Sequence, residues 1–486
     1  MSNERLGGAH LASLPSNVHR PVYDRTAQRI GIVHFGIGAF HRAHQAVYAD
    51  DAMAAGDQHW AITGVSLRSP DVRNALQPQG GLYSLTERER IGERVRIIGS
   101  VRDVLVAPEN PEAVVVALAS PHVRIVTFTV TEKGYLRNPS TDSLLWDSPD
   151  LAHDLIGTDA PRTIYGFLEQ AFIRRRAAGL PGMTLVSCDN LAENGRQLRA
   201  SLNEYLERRD PKLAAWARNE TSCPSTMVDR IVPATTVSDI ERAAAALDFE
   251  DQGAVVTEPF RQWVIEDCFV GPRPRWEEGG AQFTSDVRPF ETAKLRMLNG
   301  AHSTLSYVGI GLGLEHVHQA IADPDLHALV RQLMISEAAT SFTPVKEQDL
   351  TQYATALLHR FDNPSLAHRL SQIAMDGSQK IPQRWLASIA TLRLQDKLPT
   401  ALLFALAAWI AFICTSGRVV DDPLAVQFST IRERTRGDAM AAVNAIIGEH
   451  GLLSGVWRAD EIALKRIAAY LESIWRTGMR QALKER

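Results

Sequence analysis

The segment KLRMLNGAH, residues 294–302, carries three polar side chains that could do chemistry together, Lys294, Asn299 and His302. In an α-helix, residues 294 and 298 share a face, residue 302 follows one turn later and residue 299 lies beside them. A lysine that is partly buried has a lowered pKa and can act as a general base near neutral pH. Asn299 can donate to a developing alkoxide, and His302 can hold a substrate hydroxyl. The alternative is a solvated lysine and a capping asparagine.

A second polar group follows the apolar run MTLVSCDN (183–190), which predicts a buried strand ending near Asp189 and Asn190. Ligands of open α/β sheets bind beyond the carboxyl ends of the strands. Asn190 is therefore placed to donate a second hydrogen bond to a substrate oxygen. The alternative is an Asx turn that leads into a helix.

A glycine turn follows the β-branched run RIGIVHF (29–35) and precedes an alanine-rich helical segment. Its sequence, GIGAFH, is similar to GxGxxG, with His41 in the place of the third glycine. Gly36 permits a tight turn, and Gly38 lets the backbone approach a pyrophosphate at the helix N-terminus. We expect dinucleotide binding here, with Phe40 and His41 in the site and with looser packing where the third glycine is missing. A plain strand–helix turn is the alternative.

Charges after the next predicted strand, WAITGVSL (60–67), bear on the choice of cofactor. Asp71 would bind the adenosine ribose and favour NAD, whereas Arg68 could meet the 2′-phosphate of NADP. Solvated loop charges are the alternative for both. Glu132, which follows the predicted strand 122–131, is a further candidate for contact with the cofactor. NAD is the preferred cofactor.

The order of the predicted elements indicates two domains. Strands alternate with helices in the first half, which is typical of a largely parallel α/β sheet. From about residue 286 strand-like runs almost vanish, and long stretches rich in alanine and leucine predict helices. The boundary is expected near residues 280–292, which gives a dinucleotide-binding domain over 1–285 and a helical substrate-binding and catalytic domain over 286–486.

Composition narrows the class of protein. The chain has 486 residues and a formal net charge of -4, with 45% hydrophobic and 22% charged residues, as in ordinary globular proteins. This balance argues against nucleic acid or an anionic membrane as a partner, and no obligate protein partner is evident. The first 15 residues lack the pattern of a secretory signal, and the most apolar run, 402–414, is too short to span a bilayer and predicts a buried helix. A cytoplasmic protein is expected.

A catalytic metal is not expected. The four cysteines lie far apart, and His34, His41 and His44 straddle the glycine turn. The sequence contains no HExxH motif and no histidine pair beside a cysteine. Many alcohol dehydrogenases use zinc to form the alkoxide, and a lysine that accepts the proton of the alcohol would replace the metal.

With several further segments, these motifs resemble the polyol-specific long-chain dehydrogenases, a family that includes mannitol 2-dehydrogenases, fructuronate reductases and tagaturonate reductases. The resemblance covers about residues 20–480. It runs through the segments IVHFGIGAFHRAHQAVYAD, VTEKGY, SCDN, MVDRIVP, EPFRQWVIED, KLRMLNGAHS and DGSQKIPQR.

The resemblance implies a Rossmann-type N-terminal domain with an extended sheet, a mainly α-helical C-terminal domain and an active site between them. The implied roles are Lys294 as general acid and base, Asn190 and Asn299 as the pair that stabilises the alkoxide, and His302, Asp229 and Lys380 as contacts of substrate hydroxyls.

Two positions depart from the mannitol dehydrogenases, which carry Arg where this chain has Gln372 and Gly where it has Arg296. KLRMLNG and IAMDGSQKIPQR look most similar to the fructuronate reductases. A uronate has a carboxylate that a polyol lacks, and a guanidinium fork is its natural partner. Arg296 and Arg384 are the candidates, although residues 294 and 296 do not share a face of an α-helix.

The resemblance therefore implies reduction of D-fructuronate by NADH to D-mannonate. Mannitol 2-dehydrogenase activity, or another polyol or tagaturonate oxidoreductase activity, is the alternative with the same chemistry. A catalytically silent dinucleotide-binding paralogue is the alternative from a different class. The intact set of Lys294, Asn299, His302 and Asn190 speaks against it, since a silent protein need not keep all four.

Overall fold

β-branched runs in the first half of the chain form strands, and the alanine- and leucine-rich stretches of the second half form helices. A computed structural model describes residues 4–138, 143–157, 160–346, 348–366, 368–415 and 420–486. The chain divides into an N-terminal unit, Met1–Arg288, and a C-terminal unit, Pro289–Arg486.

The N-terminal unit contains the strands. They are β1 (Ile30–Phe35), β2 (Ala61–Ser66), β3 (Tyr83–Glu89), β4 (Gly92–Ile98), β5 (Val101–Val106), β6 (Ile125–Phe128), β7 (Arg137–Asn138), β8 (Ser143–Leu144), β9 (Thr184–Ser187), β10 (Thr226–Asp229), β11 (Val255–Thr257), β12 (Gln262–Glu266) and β13 (Gln282–Thr284).

Helices connect these strands. They are α1 (Ala39–Ala43), α2 (Gln45–Ala54), α3 (Asp71–Leu76), α4 (Pro111–Ala119), α5 (Thr131–Gly134), α6 (Pro149–Ile156), α7 (Ile164–Ala177), α8 (Asn194–Arg209), α9 (Pro211–Glu220) and α10 (Val237–Leu247).

The central sheet is parallel, with the strand order β5-β2-β1-β6-β9. The chain builds outward from β1 through β2 to β5 and then returns to the other side of β1 with β6. This reversal places the carboxyl ends of β1 and β6 at a topological switch point, where open α/β sheets bind their ligands. The predicted Rossmann-type fold of this half is confirmed.

Both faces of the central sheet are covered, which explains why its strands read as continuous apolar runs. Val33 and Phe35 of β1 pack into a cluster with residues of α4, α7 and α8. Ile32, on the opposite face of β1, packs into a second cluster with α2 and the strands outside the central sheet. Alternate residues of one strand thus serve two cores.

The strands outside the central sheet form small sheets of their own. β3 and β4 form an antiparallel hairpin, and β11 pairs with β3 in parallel. β10 pairs with β12 in antiparallel orientation, and β12 pairs with β13 in parallel. The extended sheet that the resemblance implies is therefore divided, by its hydrogen bonding, into separate sheets in the described residues.

The C-terminal unit is helical, which confirms the predicted class for this half. Its α-helices are α11 (Arg288–Ala293, which begins at the boundary), α12 (Gly300–Gly311), α13 (Val317–Ala322), α14 (Pro324–Gln332), α15 (Leu350–Phe361), α16 (Leu370–Ile373), α17 (Gly377–Ile381), α18 (Ala387–Leu394), α19 (Thr400–Cys414), α20 (Ala425–Thr435), α21 (Ala439–Ile447), α22 (Glu461–Thr477) and α23 (Met479–Glu485). Three further turns, Lys294–Asn299, Leu333–Ala338 and Pro382–Leu386, are π-helical.

Helix α19 forms the centre of this unit. It is buried on almost every side and packs against α12, α20 and α22. Its N-terminal amides at Ala401 and Leu402 donate to the buried carboxylate of Glu337, at 2.9 and 2.8 Å. A carboxylate at this end also interacts favourably with the helix dipole. The buried helix predicted over 402–414 is confirmed, and within the described residues no helix has the length and apolarity that a membrane span requires.

Candidate active site

The glycine turn after β1 has the conformation that a tight turn requires. Gly36 has φ of +94°, and a Cβ atom there would lie 2.0 Å from the carbonyl oxygen of Thr129. Gly38 is different, because a Cβ atom there would meet nothing closer than the Gly36 oxygen at 3.9 Å. The backbone at Gly38 is exposed, so a pyrophosphate can approach it closely.

His41 fills the space that the missing third glycine was expected to leave loose. Its ring is completely buried and stacks on the ring of His34 from β1, with centroids 3.4 Å apart. The helix and strand are therefore in close contact through two imidazoles. Burial lowers the pKa of His41 far below its usual range, so the ring is neutral. His41 lies beneath the turn. A cofactor would contact the surface of the turn, and the His41 ring is not on that surface.

His34 holds the turn through hydrogen bonds. Its Nδ1 lies 2.6 Å from Oγ1 of Thr127, and its Nε2 lies 2.9 Å from Oγ1 of Thr129 and 3.1 Å from the Gly36 oxygen. The Thr129 hydroxyl donates to the same Gly36 oxygen at 2.7 Å. Burial lowers the pKa of His34 to about 3. Sequence reasoning missed these threonines, although polar residues in the buried run HVRIVTFTVT are a signal for such a network.

The candidate residues for the ribose lie on exposed backbone after β2. Asp71 begins α3, and its carboxylate accepts a hydrogen bond of 2.5 Å from the hydroxyl of Ser69. Arg68 is exposed in the same loop. Glu132 is exposed in α5, after β6, and Phe40 is half-buried and stacks on His44 with centroids 5.1 Å apart.

Asp189 fixes the turns that follow β6 and β9. Its carboxylate accepts from the amides of Val130 and Thr131, at 3.0 and 2.8 Å, and from the hydroxyl of Tyr135 at 2.8 Å. These bonds stabilise Thr131 in the left-handed region, with φ of +64°. Burial raises the pKa of Asp189. Asn190 comes next and is exposed, just beyond the carboxyl end of β9.

Asn194 connects the end of β9 to β10. Its Nδ2 donates to the carbonyl oxygens of Asp189 (3.0 Å) and Thr226 (2.9 Å), and its Oδ1 accepts from the Thr226 amide at 2.9 Å. Because Asn194 also begins α8, the turn after β9 leads into a helix, as the alternative reading of this motif expected. The same turn still leaves Asn190 exposed at the sheet edge.

Asp229, the last residue of β10, is buried, and the next residue anchors it. The Arg230 guanidinium is completely enclosed and donates to Glu87 at 2.6 Å. It also donates to the carbonyl oxygens of Glu258, at 2.9 Å, and of Ala43, at 2.5 Å. These bonds fix the end of β10 relative to α1 and β3. Arg230 is a positioning residue that the sequence did not reveal, because its partners lie far apart in the chain.

The segment with Lys294 is not an ordinary α-helix. Lys294–Asn299 form a π-helical turn, and the amide of Gly300 donates to the carbonyl oxygen of Leu295, five residues earlier. A π-helix has more residues per turn than an α-helix, so residues five apart come into line. Lys294 and Asn299 therefore share a face, whereas the α-helical prediction aligned Lys294 with residue 298. The prediction of an α-helix was wrong for this turn. The π-helical turn nevertheless brings Lys294 and Asn299 to one face.

His302 lies in the first turn of α12 with a neutral ring. The ring packs on Phe361, with centroids 4.7 Å apart, and stands at right angles to His368 at 5.6 Å. Burial lowers its pKa far below the usual range, and His368, Arg360 and Arg384 act in the same direction. Its Nε2 is enclosed without a hydrogen-bond partner among the described residues. A neutral imidazole can donate to or accept from a hydroxyl group.

Arg384 lies in the π-helical turn Pro382–Leu386, which packs against the turn with Lys294. Its Nη1 donates to the hydroxyl of Ser303 at 2.8 Å and to the carbonyl oxygen of Asn299 at 3.4 Å. The neighbouring Trp385 donates from its indole nitrogen to the carbonyl oxygen of Gly300 at 3.0 Å. The structure thus brings Arg384 together with Asn299 and His302.

The two other cations that the sequence singled out have different surroundings. Arg296 donates from Nη1 to the carbonyl oxygen and hydroxyl of Ser341, at 2.7 and 2.9 Å, and lies over the ring of Phe342. Lys380 donates to the carbonyl oxygen of Met375 at 2.6 Å. Neither of these contacts brings the cation to Asn299.

This arrangement can carry out acid–base chemistry on an alcohol or ketone. A lysine and an amide share a face of one turn, and a neutral imidazole follows in the next helix. In the described residues, no group of three histidine, cysteine, aspartate or glutamate side chains is arranged to hold a metal ion.

Two family models match the chain. Residues 30–278 match the family described as the mannitol dehydrogenase Rossmann domain, and residues 286–475 match the mannitol dehydrogenase C-terminal domain. The two matches together cover most of the chain.

Relatives extend over nearly the full length. The chain is 40% identical to the D-mannonate oxidoreductase of Escherichia coli, over 91% of this chain and 92% of that protein. It is 41% identical to the uncharacterized oxidoreductase YeiQ of the same organism, over 88% of each. The solved ternary complex of Pseudomonas fluorescens mannitol 2-dehydrogenase with NAD and D-mannitol is 34% identical, covers 99% of both chains and has a TM-score of 0.82. The resemblance that the motifs carried is confirmed, and the chain belongs to the mannitol dehydrogenase family.

Proposed function

We propose that this protein catalyses the reversible, NAD-dependent reduction of D-fructuronate to D-mannonate. The observation that carries the proposal is the π-helical turn, which puts Lys294 and Asn299 on one face next to the neutral His302. The positive charges of Arg360 and Arg384 act on this same place, and they favour a substrate with a negative charge. A relative named for D-mannonate agrees with that choice.

We propose that the domain over 1–285 binds the cofactor and that the domain over 286–486 binds the substrate. The open backbone at Gly38 and the tight turn at Gly36 fit a pyrophosphate, and Asp71 fits the ribose of NAD. When bound, NADH supplies a hydride to the carbonyl carbon of the substrate. The solved relative that binds NAD supports this choice of cofactor.

The chain's own residues supply the proton and the fixed dipoles. Lys294 transfers a proton from Nζ to the carbonyl oxygen as that oxygen becomes an alkoxide, and Lys294 regains a proton from solvent. The side-chain amides of Asn299 and Asn190 donate hydrogen bonds to the same oxygen, where charge develops in the transition state.

The substrate hydroxyls are assigned to His302, Asp229 and Lys380. The net change is one hydride on carbon and one proton on oxygen, with NADH converted to NAD⁺. The substrate is accordingly a small sugar acid.

The test is a parallel measurement of NADH oxidation at 340 nm with fructuronate, tagaturonate and fructose. We expect the highest kcat/KM with fructuronate. A higher value with tagaturonate would keep the chemistry and change the sugar. No oxidation with any of the three, or with a wider panel of uronates and polyols, would favour a catalytically silent dinucleotide-binding protein.

Mannitol 2-dehydrogenase activity is the second candidate, since the solved relative with D-mannitol covers the chain almost completely. Preference for fructose over fructuronate in the same assay would establish it in place of the first.

A further inference from the structure

Arg384 is a half-buried cation without a carboxylate partner in the described residues. Its hydrogen bonds go to two neutral oxygens, the Ser303 hydroxyl and the Asn299 carbonyl. Taking a charge out of water is costly unless an opposite charge compensates it. A half-buried guanidinium that meets only neutral groups therefore favours an anionic ligand.

Three arginines of the N-terminal unit have carboxylate partners, although the completely buried Arg175 donates, among the described residues, only to the carbonyl oxygens of Pro181, Leu118 and Ser120. Arg230 donates to Glu87, and Arg88 donates to Asp239 at 2.6 Å. Arg96 donates to the carboxylates of both Asp50 and Asp51. In these three places the chain itself supplies the counter-charge that it does not supply to Arg384.

Lys380, one turn before Arg384, differs from Arg384 because it has acidic neighbours. The carboxylates of Asp376, Asp422 and Asp421 favour its charged form, against the effects of burial and of Arg384. Its ammonium group donates to the Met375 carbonyl. The charge of Lys380 is thus partly balanced within the chain, which makes it a weaker site for an added anion.

Arg296 is oriented away from this place. Its Nη1 is held by both oxygens of Ser341, and its guanidinium lies over the ring of Phe342. Residues two apart do not share a face of a helix, which separates Arg296 from Lys294.

The position of Arg384 suits a substrate bound at Lys294. Its Nη1 is fixed to Ser303 and Asn299, on the same continuous helical segment as Lys294 and His302. Its Nε and Nη2 donate to none of the described residues, which leaves two donors of the guanidinium fork for a carboxylate. Burial lowers the pKa of Arg384 to about 10, so the side chain stays charged at neutral pH.

We propose that Arg384, and not Arg296, binds the carboxylate of the sugar acid and so determines the preference for uronates over neutral ketoses. This inference rests on the proposed function, since it assigns a substrate group within the same site. Ser303 acts as a positioning residue that orients the fork through Nη1.

The experiment compares Arg384→Met with the matched control Arg296→Met, each measured with NADH and with fructuronate or fructose. A charge-assisted hydrogen bond corresponds to a change of roughly 10- to 100-fold. We expect Arg384→Met to lower kcat/KM for fructuronate by about that factor, mainly through KM, and to lower it much less for fructose. Arg296→Met should change kcat/KM by the same factor for fructuronate and for fructose.

Arg384→Lys guards against simple damage to the fold. It keeps a positive charge but not the fork, so the selective loss with fructuronate should be intermediate between the wild-type and Met values. Equal losses for both substrates in the Met and Lys variants, or a selective loss in Arg296→Met, would overturn the assignment.

Failure of the proposed function has a separate signature. Wild-type protein that reduces fructose but no uronate would refute the uronate activity itself. Calorimetric titration of the wild type and of Arg384→Met with D-mannonate and with mannitol then tests the carboxylate site without turnover. The inference requires that the substitution weaken mannonate binding selectively, and unchanged mannonate affinity would exclude Arg384.

Discussion

The buried imidazoles beneath the glycine turn should make the N-terminal unit sensitive to mild acid. His34 and His44 have pKa values lowered to about 3 by burial, and the pKa of His41 is lowered in the same direction. In the unfolded chain the same groups titrate near 6.5. Below that pH the unfolded state binds protons that the folded state does not bind. The three neutral imidazoles therefore stabilise the fold fully above about pH 6.5, and this part of the free energy of unfolding is lost as the pH falls.

The magnitude follows from one proton for each imidazole. Lowering the pH from 7.5 to 5.5 almost completely protonates three histidines in the unfolded chain and none in the folded unit. Linkage converts this into a loss of roughly 4 kcal/mol. Because domains are typically stable by only about 5–15 kcal/mol, the loss is a large part of the total. The raised pKa of the buried Asp50 acts in the opposite direction and becomes important in stronger acid.

The assay must resolve the two units, since a chain of this size need not unfold in a single step. Hydrogen exchange at pH 7.5, 6.5 and 5.5, corrected for intrinsic exchange rates, gives the opening free energy of peptides from β1. The variant His41→Gln removes one of the three protons and should reduce the pH dependence of these peptides by about a third, whereas His122→Gln, at an exposed position, is the control. Opening free energies for β1 that stay constant from pH 7.5 to 5.5 would refute the reasoning.

Three further predictions concern catalysis. Lys294→Ala should lower kcat by about 10²- to 10⁴-fold while NADH affinity, measured by fluorescence titration, stays nearly unchanged, because general acid–base catalysis has that magnitude; activity within threefold of wild type would remove Lys294 from the mechanism. NADH should give a higher kcat/KM than NADPH, since Asp71 repels a 2′-phosphate, and the reverse order would assign the pocket to Arg68. Activity should survive prolonged treatment with EDTA, and a loss that zinc restores would contradict the lysine mechanism.

The fold was predictable because its determinants are local in sequence. The β-branched run before Gly36 and the apolar runs 60–67 and 183–190 all form strands of the central sheet. Parallel strands with helical connections follow a small set of topologies, so the sheet order needs little more information. The change of composition near residue 286 reflects the same local signals.

Side-chain orientation was harder to predict because it depends on backbone details that leave no mark in residue type. The helix after the glycine turn is interrupted at His44, where φ is -126° and ψ is -89°. His41, in the short helix before this break, lies in the interior, although its place in the motif suggested contact with the cofactor. The roles of Arg230 and Asp189 were missed for a related reason, since their partners come from distant segments.

The π-helical turn at Lys294 has a consequence for how relatives are aligned. An α-helix advances by about 100° for each residue, so one residue more or less in this turn rotates everything after it by that angle about the helix axis. A gap of a single position between two sequences here is therefore a change of helical phase and not a change of loop length. Residues of α12 that an alignment pairs across such a gap point in different directions, and specificity inferred from the pairing would refer to two different sides of the helix.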